Sequence, residues 1–134
     1  MRAGFPQVGE DQPCPCGSGA VFGACCGPIL GGVLAETALE LMRSRYTAFV
    51  VGDASHLRET WHPGTVPDDV RLDPGTRWTG LEIVDTVDGR PGDKRGIVEF
   101  RAHWRERGGT GELHERSRFV WQSGRWWYLD GRVS

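Results

Sequence analysis

A chain of 134 residues with a formal net charge of -2 suits one ordinary domain plus a small appendage. That near-neutral balance excludes a nucleic-acid binder driven by overall electrostatics, though not one with a local patch. No apolar run approaches the roughly 20 residues of a membrane span, whereas six tryptophans and five phenylalanines are enough to fill one compact core.

The opening MRAGFPQVGEDQP has no apolar h-region, so no secretory signal is expected. The chain is accordingly assigned to a reducing cytoplasm, where thiols stay free or bind metal. All four cysteines then fall within CPCGSGAVFGACCG. Cys14 and Cys16 are followed, after eight intervening residues, by Cys25 and Cys26. Two ligands from each side of a short loop can wrap a tetrahedral ion, and four cysteines leave no open position. The reading is a structural zinc site, since a segment this short cannot bury a core of its own. The competing reading, disulfides, requires a strained Cys25–Cys26 bridge or an oxidising compartment. The stretch resembles the SEC-C motif, the zinc-binding tail of the export ATPase SecA, in its spacing and its CGSG. There the motif contacts the chaperone SecB and the ribosome through a lysine-rich loop and ends on histidine. Here the loop reads AVFGA and the last ligand is Cys26. The resemblance implies the metal and a protein partner for the knuckle, but not an acidic one.

Next, Thr37 and Glu40 have capping-box spacing and Gly52 is a helix terminator. At helical periodicity Ala38, Leu41, Met42, Tyr46 and Phe49 share a face, with Arg45 in its middle and Arg43 towards its polar edge. A second short helix begins at the N-cap Asp53, puts Leu57 and Trp61 on one face and ends at His62-Pro63-Gly64. Residues 63–76 read as a loop, with one helical turn at PDDVRL.

Four strands follow, near 78–87, 96–107, 112–122 and 125–133, with connections short enough for antiparallel neighbours. The second alternates Val98, Phe100, Ala102 and Trp104 with Glu99, Arg101, His103 and Arg105. On the third, Leu113, Glu115, Ser117, Phe119 and Trp121 share parity. On the fourth, Trp126 and Tyr128 share parity with Asp130, while Trp127 and Leu129 oppose them. Helices first and a meander afterwards give an α+β fold with helices on one sheet face. The boundary falls between a knuckle over 1–32 and an α+β domain over 33–134.

Across its length the chain is similar to the YchJ family of uncharacterised bacterial proteins. CPCGSG…CCG, LMRSRYTAFVVGDASHL, TWHP, WTGLEIV, VEFRAHW, HERSRF and RWWYLDG carry the likeness. It implies a SEC-C knuckle joined to a nuclear transport factor two-like domain. That domain is a cone of curved four-stranded antiparallel sheet around helices, as in the cystatin and ketosteroid isomerase folds.

Arg45 and Glu115 are ionisable groups where hydrophobes are expected, and burying either unpaired is costly. One reading makes them a structural ion pair, joined by Asp130. In the other, Arg45 presents its guanidinium to a small anionic ligand, Glu115 positions it, and Tyr46, His62 and Trp78 line the mouth. Isomerase- or dehydratase-type chemistry at Arg45 and Glu115 is the enzymatic alternative, although a carboxylate beside an arginine is a poor base. His56 and His62 read as hydrogen-bonded helix residues, and His103 and His114 as surface groups. The charge-dense outer face argues for a monomer with no large apolar interface. A binding or adaptor protein is the reading carried forward.

Overall fold

The computed structural model describes residues 2–134. Three helices, α1 (Cys26–Leu30), α2 (Ala38–Val51) and α3 (Ala54–Thr60), precede four strands. These are β1 (Arg77–Asp88), β2 (Arg95–Glu106), β3 (Gly109–Gln122) and β4 (Arg125–Val133). They form one antiparallel sheet in the order β1-β2-β3-β4.

The capping chemistry read from sequence sets both ends of α2. Thr37 Oγ1 accepts from the Glu40 amide at 3.0 Å, while Glu40 Oε2 reaches back to the Glu36 amide at 2.9 Å. Gly52 ends the helix in the left-handed region at φ +77°, with the Phe5 ring packed where a side chain would stand. Asp53 Oδ1 then accepts from the His56 amide and starts α3. The β3–β4 turn has Ser123 and Gly124 both at positive φ, which suits a tight hairpin.

α2 is buried around most of its circumference, because it has three neighbours rather than one. Leu41, Met42 and Tyr46 belong to one apolar cluster with Val98, Phe100, Ala102, Phe119 and Trp126 of the sheet. A second side meets α3, where Ser44 Oγ lies 2.9 Å from His56 Nε2. The remaining side meets the cysteine loop, and Cys14, Cys16 and Cys26 join the same cluster.

Bulges bend the sheet over α2. Thr79 and Val84 are extra residues in β1, and Leu129 is extra in β4. The Leu129 bulge corrects the parity read from sequence. Phe119 pairs with Tyr128 but Arg118 pairs with Asp130, so Asp130 turns to the outer face. Residues 67–72 form no helical turn, contrary to the reading of PDDVRL. Among the described residues no helix is long and apolar enough to cross a membrane.

Candidate functional site

The knuckle is a loop closed on itself. Pro13 and Val21 form a bridge, the Cys14 amide donates to the Ala20 carbonyl at 3.0 Å, and a 3-10 turn over Phe22–Ala24 leads to Cys25. This brings Cys14, Cys16, Cys25 and Cys26 together with all four sulfurs within 4.8 Å of one another. Cys16 Sγ and Cys25 Sγ are 3.6 Å apart. A tetrahedral zinc with Zn–S bonds of about 2.3 Å needs sulfurs about 3.8 Å apart, so the donor set fits one ion. The sulfurs also compete for protons. Hydrogen bonds from Cys14 and Cys26 pull Cys16 far below the ordinary thiol range. Hydrogen bonding with Cys14 and Cys16 holds Cys26 far above it. A cation is what would let all four ionise together. The loop is tied to α2 by Arg43, whose Nη1 donates to the Cys16 carbonyl at 2.7 Å. Arg43 thus serves the knuckle rather than a solvated edge.

Between α2 and the sheet lies a cavity of about 150 Å³. Its wall is apolar and aromatic, including Met42, Phe49, Trp61, Trp78, Phe100 and Leu113, and two side chains of opposite charge, Arg45 and Glu115, face into it. Tyr46 and Trp78 also line it. Burial pushes the Tyr46 phenol up to about 12.

Arg45 is 4% exposed. Its Nη1 donates to the Leu57 carbonyl at 2.8 Å and to Thr60 Oγ1 at 2.7 Å. Its guanidinium carbon stands 4.3 Å from the Tyr128 ring centre and 5.0 Å from that of Trp61. Burial is the main influence on it and pushes it down to about 10. Among the described residues it has no carboxylate within ion-pair distance.

The direct Arg45–Glu115 ion pair is therefore absent. Glu115 Oε2 instead accepts from Ser117 Oγ at 2.5 Å and from the Tyr128 hydroxyl at 3.0 Å. Tyr128 stands between the two charges, with its ring against the guanidinium and its hydroxyl on the carboxylate. Its phenol is pushed up, chiefly by burial and then by the neighbouring Glu115. The carboxylate lies over Gly131, where a Cβ would overlap it.

Two other expected residues are elsewhere. Asp130 pairs with Arg118 on the outer face, at 2.7 Å from Oδ1 to Nε. His62 also faces away: its Nε2 lies 2.7 Å from Gln122 Oε1, its Nδ1 accepts from the Gly64 amide and its ring meets Trp127 edge-on. Conversely, sequence reasoning left Trp61 and Tyr128 out of the site. The signal for them is present: Trp61 shares a face with Leu57 and Tyr128 shares parity with Trp126, and aromatic faces are what a lone buried guanidinium packs against.

The family model for the YchJ middle NTF2-like domain matches residues 37–131, and that for the SEC-C motif matches residues 12–28. The chain belongs to the YchJ family. A relative from Streptomyces coelicolor, UPF0225 protein SCO1677, is 56% identical over 120 residues, covering 89% of this chain and 94% of the relative. UPF0225 protein RSc0270 of Ralstonia nicotianae is 41% identical, with both chains fully covered. Among solved structures, RPA3114 from Rhodopseudomonas palustris, described as a SEC-C motif containing protein, is 32% identical with a TM-score of 0.76. The match covers 90% of this chain and 98% of that one. A SEC-C motif containing protein from Psychrobacter arcticus gives a TM-score of 0.73 at 29% identity, over 93% of this chain and 84% of that one.

Several other ionisable groups of this YchJ chain are paired away from the cavity. On the outer face His114 Nε2 meets Glu99 at 2.6 Å, and Arg116 bridges Glu99 and Asp85. His103 lies 3.5 Å from Glu82. His56 is buried; Ser44 Oγ donates to the Leu41 carbonyl, so it accepts from His56 Nε2–H. Burial, the largest influence, pushes His56 down to about 4.

Proposed function

We propose that this protein is a binding module in which a structural zinc knuckle braces a cone that holds a small molecule by its carboxylate or a similar planar anionic group. The observation that carries this reading is Arg45: a guanidinium 4% exposed, without a carboxylate partner, facing an apolar cavity. A charge in that position is expensive unless something balances it. The planar fork of arginine matches a carboxylate. Glu115 contributes at one remove, by fixing the Tyr128 hydroxyl and with it the ring against which the guanidinium lies.

Zinc is the ion that best suits four thiolates in a closed tetrahedron, and such a site has no position for a substrate. Its role is to hold the N-terminal loop against α2. A chain that keeps four thiols for a metal belongs in a reducing compartment, the cytoplasm. The loop carries no charged side chain between Cys14 and Cys26, and Val21 on it is exposed. It therefore suits a protein partner met through apolar contact rather than through charge.

The test is twofold. Protein purified under reducing conditions is analysed for metal, with one zinc per chain expected. The loaded protein is then screened by thermal shift against millimolar 4-methylpentanoate and benzoate. Wild type is expected to be protected and Arg45→Met not. Protein without zinc overturns the metal reading, and equal response of the two proteins overturns the pocket reading.

A further inference from the structure

We infer that the cone ligand is a small α-amino acid with an apolar side chain, its carboxylate on Arg45 and its ammonium on Glu115. This rests on the reading that the cavity holds an anionic group against Arg45, and adds the second charge.

Both ionisable groups are half-used in the same way. The hydrogen bonds of Arg45 all leave from Nη1, and among the described residues Nη2 and Nε have none. Among the described residues, both hydroxyls that reach Glu115 end on Oε2, and Oε1 has none. Each group is thus anchored by one atom, and both line one cavity. A ligand carrying only a carboxylate would place a second negative charge beside Glu115 in a poorly solvated space, where like charges repel strongly. A ligand with one charge of each sign leaves the cavity neutral and gives both groups a partner.

The spacing suits neighbouring charges. The guanidinium lies 4.3 Å from the centre of the Tyr128 ring, and Glu115 Oε2 lies 3.0 Å from that ring's hydroxyl. The two groups are not within ion-pair distance of each other, and Tyr128 touches both. A ligand reaching both would use two hydrogen bonds of about 2.9 Å with an amino-acid head group between them. Apart from the hydroxyls of Tyr46 and Tyr128 and the indole nitrogens of Trp61 and Trp78, the remaining wall, including Met42, Phe49 and Leu113, is apolar and suits an apolar ligand body. At about 150 Å³ the space limits that body to roughly the size of leucine or methionine.

The experiment is calorimetric titration of the zinc-loaded full chain with L-leucine, with 4-methylpentanoate, which lacks the ammonium, and with 3-methylbutylamine, which lacks the carboxylate. Leucine is expected to bind at least about tenfold more tightly than either analogue, since each lost charge-assisted hydrogen bond costs about that factor. Glu115→Gln is expected to erase the preference of leucine over 4-methylpentanoate while leaving the acid bound. If leucine and the acid bind wild type equally, the amino-acid inference fails and the anion site stands. If none of the three binds, both readings fail. The wild-type comparison decides the matter even if the variant does not fold.

Discussion

Replacing Arg45 with methionine separates a residue kept for a ligand from one kept for the fold. Burial lowers the Arg45 guanidinium from 12.5 to about 10. At about 1.4 kcal/mol per unit, the folded state holds this charge at a penalty of about 3 kcal/mol. Methionine keeps an unbranched stem in the same apolar surroundings and removes the charge. Against that recovery stand a charged hydrogen bond to the Leu57 carbonyl, about 1.5 to 3 kcal/mol, and the contacts with Trp61 and Tyr128, about 1 kcal/mol. Thr60 Oγ1 loses a donor but still donates to the His56 carbonyl. The sum puts Arg45→Met within about 1 kcal/mol of wild type. Urea denaturation of the two zinc-loaded proteins at pH 7 measures the difference. A loss of about 3 to 5 kcal/mol, the usual result of breaking a buried ion pair, would refute the reasoning and return Arg45 to a structural role.

Three further outcomes follow from the same contacts. Gly131→Ala places a Cβ on the Glu115 carboxylate and forces it off Ser117 and Tyr128. With Ser117 fully buried, a stability loss of about 1 to 3 kcal/mol is expected by denaturation, and Glu115→Gln in the same background should add little to it. His56 has a folded pKa of about 4 against an ordinary 6.5. The unfolded chain therefore takes up a proton that the folded one refuses. Stability should fall as pH drops from about 6.5 towards 4, by about 3 kcal/mol in all. His56→Gln should flatten that slope; an unchanged slope would remove His56 from the account. Chelating the metal should speed amide exchange in residues 12–30 and lower the melting temperature, because Cys14, Cys16 and Cys26 share the cluster around α2. Continued protection of β2 and β3 is expected, and collapse of the sheet with the knuckle would count against a separable segment.

Much of this was legible where local chemistry decides. Four thiols at tight spacing can converge only on each other or on an ion. The ends of α2 follow from Thr37, Glu40 and Gly52, and β2 from strict alternation. What escaped were features set by one extra residue or by a neighbour. The Leu129 bulge breaks the period of two, so counting from Trp126 sends Asp130 to the wrong face. Periodicity puts Arg45 and Glu115 each on the apolar face of its own element, and both line the cavity. Nothing in their spacing says that Tyr128 would stand between them, because that depends on how α2 crosses β3 and β4. His62 turned outward because Gln122 and the Gly64 amide lie there, contacts between distant segments. The five residues of α1 are too few to show a helical period.

The claim at the centre is that the guanidinium of Arg45 waits inside the cone for an anionic group. Nitrogen-15 NMR of the Arg45 Nε–H during titration with 4-methylpentanoate tests it most directly. A saturable shift of that resonance, larger than those of the surface arginines, is expected. An Arg45 signal that stays still while the acid reaches tens of millimolar would contradict it.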